Sequence, residues 1–169
     1  MPTTTEPGPP VAFPKKGSSP PEISGDGRYF GYIRGADASA RTIDFDVAQF
    51  FYGESAQKAA EDDGAVPPGE PVPNDHYERN PDQKVETLQL AEDVSVKAAP
   101  PASFLMSYVA RSERLKCERG ASPVRCTQLP LTSGAFFKAT RNLPAGQGIP
   151  VWVTLRNDVV ERVDEQYFP

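Results

Sequence analysis

Histidine occurs once in 169 residues, tryptophan once and cysteine twice, and cationic side chains are outnumbered, 18 Lys and Arg against 23 Asp and Glu. Each shortage excludes something. A formal charge of -5 leaves no Lys and Arg surplus to hold phosphates, so a nucleic-acid partner is not expected. A single His76, with no Gly-x-Ser-x-Gly run, provides no recognisable serine, histidine and acid set, and no phosphate-cradling glycine loop occurs. Structural zinc wants four ligands at short spacing, which two cysteines and a distant His76 do not supply, so neither a metal nor a cofactor is expected. No run approaches the roughly 20 apolar residues of a membrane span, so no transmembrane segment is expected. The opening also lacks the charged and apolar regions of a signal peptide.

Proline and glycine are plentiful. Nineteen prolines and thirteen glycines, with a mean hydropathy of -0.50, point to much extended or irregular chain. Residues 1–24 read as a Pro, Thr and Ser-rich tether of the kind that follows a removed export signal or lipid-anchor site, the alternative being a disordered tail on a cytosolic protein. The remainder, 25–169, is the right size for a single domain with one core.

The closing stretch organises the fold. Val151, Val153 and Leu155 alternate with Trp152, Thr154 and Arg156, and Asn157-Asp158 then tolerates the positive φ of a hairpin turn. A two-residue turn puts Val160, Arg162 and Asp164 on the apolar side. A three-residue turn puts Val159, Val163 and Tyr167 there and is preferred, because it makes one face mainly apolar, spoiled only by Glu161 and Glu165.

A second hairpin is expected from Tyr29-Phe30-Gly31-Tyr32-Ile33, with Gly31 marking a bend or close backbone approach, and Ile43, Phe45 and Val47 on the return strand. Residues 53–64 read as a short surface helix with Ala56, Ala59 and Ala60 on one face and Gly64 after its end. Val66 to Pro73 is an extended connector, since its prolines remove backbone donors. Strand pattern resumes at Val85 to Leu90 and Val94 to Val96, before an irregular insertion at about 98–148 in which Thr132 caps a helix carrying Phe136 and Phe137. These elements predict a mainly β fold with minor α: an antiparallel curled sheet or small partly open OB-like (oligonucleotide-binding-type) barrel with one or two short helices. That shape implies no ligand.

The segments Gly31-Tyr32-Ile33, Ala40 to Phe50, Pro73 to Asn80 and Trp152 to Asn157 together resemble a family of small uncharacterised exported proteins and lipoproteins of actinobacteria and related Gram-positive bacteria. The resemblance covers about residues 27–97 and 149–169 and implies an extracytoplasmic, cell-surface location but no known chemistry. The sequence departs from it at His76, where an aromatic is expected, and in the cysteine-bearing stretch.

Candidate functional residues follow from these placements. In a strand, His76 shares a face with Asn74, Glu78 and Asn80, while Asp75, Tyr77 and Arg79 share the other. With Trp152, the residues Asn74, Asp75, His76, Tyr77 and Arg79 form the expected ligand-binding set of a non-catalytic module for a protein or cell-envelope component. A hydrolase-like centre on His76 with Glu78 or Asp75 is the alternative. Asp37, Asp44 and Asp46 lack a calcium-loop order, and the last two have sufficient reason as the wet side of a strand. Cys117 and Cys126 enclose a loop suited to a disulfide, worth on the order of 2.5 to 3 kcal/mol in the chain-entropy model, against a pair of unrelated reduced thiols. With Arg119 and Arg125, that loop is also compatible with presentation to a protease as an inhibitor.

Overall fold

The computed structural model describes residues 23–81, 83–119 and 127–168. Most of the expected tether, together with Cys126 and Arg125, lies outside these residues. Eight strands and three helices follow in order: β1 (Gly27–Asp37), β2 (Thr42–Val47), β3 (Gln49–Tyr52), α1 (Glu54–Asp62), β4 (His76–Arg79), β5 (Val85–Ala98), α2 (Arg111–Glu118), β6 (Leu129–Leu131), α3 (Ser133–Arg141), β7 (Ile149–Arg156) and β8 (Val159–Glu165). The pairings run β2-β1-β7-β8-β5 and return from β5 to β2, closing a five-stranded barrel that β6 extends along β5. The fold is mainly β with short helices and has an OB-like strand order.

One pair, β5 with β8, is parallel, where antiparallel neighbours were expected. The reason is parity: directions cannot alternate all the way round a ring of five. The interior is filled by alternate residues, among them Ile33 of β1, Phe45 of β2, Leu90 and Val96 of β5, Val151 and Val153 of β7, and Val160 and Val163 of β8. Helix α3, whose Thr132 Oγ1 accepts the Ala135 N–H at 3.2 Å, adds buried Phe136 and Phe137 to this core and packs on β1 and β5. Gly31 fits because the chain passes close by. A Cβ there would stand 2.3 Å from the Asp46 carbonyl oxygen.

The closing hairpin corrects the expected register. Asn157 and Asp158, at φ 51° and 61°, form a two-residue turn joining Arg156 to its partner Val159. The face change is made further down, where Thr154 pairs with Arg162 and Leu155 with Val160, so Glu161 is the extra residue of a bulge. Val160 and Val163 therefore both point inward, and Tyr167 is exposed. Buried Glu165 is satisfied rather than excluded: its carboxylate accepts the N–H groups of Ala99 and Leu105, each at 3.0 Å, and the Ser103 hydroxyl at 2.5 Å.

The stretch expected to be irregular holds more order than its composition suggests. It contains α2, β6 and α3 together with a 3₁₀ turn over Leu105–Tyr108. Helix α1 carries Ala56, Ala59 and Ala60 as its buried face, and Gly64 follows at φ 70°.

Candidate functional site

Strand β1 is apolar on both sides, which leaves Phe30 on the outside of the barrel yet fully buried. What covers it is a two-stranded ribbon, β3 with β4, that the segment between β2 and β5 folds back over β1 and β7. Cross-strand pairing sets the ribbon's faces: Phe50 opposes Glu78 and Tyr52 opposes His76, so these four share a side. Phe50 meets Phe30 at 5.0 Å and Trp152 at 5.9 Å between ring centroids, and His76 stacks on Phe50 at 5.7 Å and on Phe168 at 5.0 Å. The structure thus brings His76 and Trp152, far apart in sequence, into one aromatic cluster.

The other ribbon face serves the fold. Arg79 donates from Nε to Asp63 Oδ2 at 2.7 Å and from its terminal nitrogens to Asp63 Oδ1 at 3.0 Å and Gln49 Oε1 at 3.2 Å. The Tyr77 hydroxyl donates to Asp63 at 3.2 Å, and burial followed by the Asp63 charge raises its pKa. Both side chains thereby fasten the ribbon to the end of α1. Asn74 and Asp75 are not strand residues. They form a tight exposed turn at φ 57° and 58°, with the Asp75 carbonyl accepting Gly53 N–H.

His76 lies along a cleft of about 360 Å³ shared with Glu78, Asn74, Val66 and Val72. Its Nε2 is 3.8 Å from Glu78 Oε1 and its Nδ1 is 3.3 Å from the Asn74 carbonyl. Burial raises the Glu78 pKa. The three aspartates considered for a cation go separate ways. Asp37 accepts from the Ser39 and Ala40 N–H groups, Asp44 from Thr87, and buried Asp46 from Arg34 and Asn80. Cys117 sits in α2, while Cys126 is outside the described residues, as is most of the loop considered as a disulfide or inhibitor.

Trp152 occupies the outer side of β7, half-buried, and the rings that meet it among the described residues are Phe50 and Phe30, neither of them from the 98–148 region. Its indole N–H donates to Gln166 Oε1 at 2.9 Å, and the Arg28 guanidinium lies over the ring, 4.6 Å from its centroid. Residues that sequence reasoning missed surround it. Thr154 pairs with Arg28 on one side and Arg162 on the other, and Trp152 pairs with Asp164, itself opposite Lys97. Their signal was the strand alternation itself, since all stand on the side away from the barrel core.

Comparison of the chain with protein-family models, curated proteins and solved structures finds no match.

Proposed function

We propose that this chain is a non-catalytic binding module working outside the cytoplasm, taking a protein or cell-envelope component on the barrel face around Trp152. The observation that carries this reading is the placing of the sole tryptophan on that face under an arginine that has no hydrogen bond or ion pair among the described residues. A buried or half-buried cation without a partner is costly unless a ligand supplies one. The tether-like composition of residues 1–24 and the likeness to exported Gram-positive lipoproteins support the location. The test is sedimentation of the full chain with isolated bacterial cell envelopes. Retention should fall at least tenfold in Trp152→Ala and stay unchanged in Lys58→Ala, on the exposed face of α1. Equal retention of wild type and Trp152→Ala would overturn the reading.

The His76 and Glu78 pair favours a second, hydrolase-like reading, because it lines a cleft and burial keeps Glu78 proton-holding to higher pH than usual. Against it, the imidazole packs on two phenyl rings that also meet each other, with its side chain 17% exposed. Turnover of chromogenic esters or glycosides that drops more than a hundredfold in both His76→Gln and Glu78→Gln would replace the first reading with this one.

A further inference from the structure

Across the outer face of the barrel, the hydrogen-bonded pairings place Arg28, Thr154 and Arg162 in one row on three neighbouring strands, β1, β7 and β8. The next row holds Trp152, Asp164 and Lys97. Thr154 stands between the two arginines along that row, and Arg28 feels both the Asp164 charge, which raises its pKa, and the Arg162 charge, which lowers it. The dominant influence on Arg28 is burial, which also lowers it.

Three cations share this patch with one carboxylate, in a chain whose net charge is -5. The internal pairing is incomplete. Arg162 Nε forms an ion pair with Asp164 Oδ2 at 2.6 Å and its Nη2 donates to Gln128 Oε1 at 3.5 Å, while the other carboxylate oxygen, Oδ1, has no hydrogen-bond partner among the described residues. Asp164 has a side chain only 2% exposed, so Oδ1 is a desolvated acceptor that a ligand reaches only when the side chains covering it shift. Neither Arg28 nor Lys97 forms an ion pair among the described residues, and the Thr154 hydroxyl makes no hydrogen bond among them.

We infer that this patch recognises an acidic saccharide, with Arg28 and Arg162 on its oxyanion, Thr154 between them and Asp164 Oδ1 accepting from an adjoining hydroxyl. The oxyanion answers the unpaired Arg28 and the N–H groups that Arg162 has left after Asp164 and Gln128, and the hydroxyl answers Asp164 Oδ1. A guanidinium fork matches a carboxylate or sulfate in two parallel hydrogen bonds, and stacking on Trp152 fixes the Arg28 fork in advance. A bare anion satisfies the arginines but is repelled by Asp164 and gives its free oxygen nothing to accept. A neutral sugar leaves Arg28 without a counter-charge. The inference rests on the binding reading above and names the chemistry that the same face would take.

The sole tryptophan makes the test direct, because its emission reports whatever displaces or orders Arg28. The full chain is titrated with tetragalacturonate, a sulfated heparin tetrasaccharide, neutral maltotetraose, inorganic sulfate and an oligothymidylate, at low and at high salt. At least one of the two acidic tetrasaccharides should bind at least tenfold more tightly than maltotetraose and inorganic sulfate, weaken with salt, and lose at least tenfold in Arg28→Met and in Arg162→Met. Both variants are first shown to unfold as cooperatively as wild type, and Arg28→Lys, which keeps the charge without the fork, should recover only part of the affinity. The inference is overturned if neither acidic tetrasaccharide binds, if inorganic sulfate or the oligothymidylate binds as tightly, or if folded Arg28→Met and Arg162→Met retain full affinity. Envelope retention lost in Trp152→Ala but kept in both arginine variants would sink the acidic-ligand assignment alone. Retention equal in wild type and Trp152→Ala would sink the binding reading itself.

Discussion

Individual residues that look misplaced in this sequence are the ones that explain it. Glu165 reads as a blemish on an apolar strand, yet it gathers the backbone of the loop that follows β5. Burial raises its pKa despite the donors from Ser103, Leu105 and Ala99. The folded state thus keeps this proton to higher pH than the unfolded chain does, so the associated stability is complete below the ordinary 4.5 and is lost as pH rises through the raised value. Thermal melts from about pH 4 to about pH 7 should show the wild type losing stability relative to Glu165→Gln, which has no proton to give up. A constant difference across that range would refute the assignment. Gly31 is the opposite case, a residue chosen for what it omits. In Gly31→Ala the new methyl meets a carbonyl oxygen at 2.3 Å and the Phe45 ring at 2.7 Å, contacts that backbone must move to relieve. The urea midpoint should drop by an amount equivalent to about 3 kcal/mol.

Elements were legible where one face is wet and the other dry. The alternation of β2 and β7, the Ala56, Ala59 and Ala60 stripe of α1 and the Thr132 cap of α3 each carry a local signal strong enough to survive packing. Helix α2 was not legible. Its Arg-Ser-Glu-Arg-Leu-Lys-Cys-Glu run has no apolar stripe, and what it does have is a Glu113 and Lys116 pair one turn apart. The terminal hairpin shows how a correct demand leads to a wrong device. One apolar face was required, and either a longer turn or a bulge provides it; the chain uses the bulge at Glu161. Because Asn157-Asp158 forms a two-residue turn with both residues left-handed, Asp158→Gly should stabilise the protein, by up to about 1 kcal/mol in chemical denaturation. A loss of stability there would contradict the two-residue turn.

At the scale of the whole molecule, the barrel was expected from counting strands, but its closure was not. The pairing of β5 with β8 joins residues as far apart as Gln89 and Val159, and nothing in local periodicity announces a partner so distant. The same distance hid the candidate site. Arg28, Thr154 and Arg162 come from strands at opposite ends of the chain, and each alone is an ordinary solvent-side residue. His76 and Trp152 were singled out for their chemistry, whereas their meeting through Phe50 depends on a ribbon whose docking the sequence does not announce.

Phe168 packs edge-on against Phe30, their rings 6.5 Å apart, only a few residues into the first strand. The C-terminal end of the folded body is therefore moored beside its first strand, while the chain entering that strand lies by the Asn157 turn at the other end of the closing hairpin. A circular permutant that links Phe168 to Ile23 through a glycine-rich bridge long enough to run back along β1, and is reopened at the exposed Ala145-Gly146, should fold, with a stability within about 1 kcal/mol of the parent. An insoluble permutant would show that the mooring of Phe168 on Phe30 does not survive the new connection.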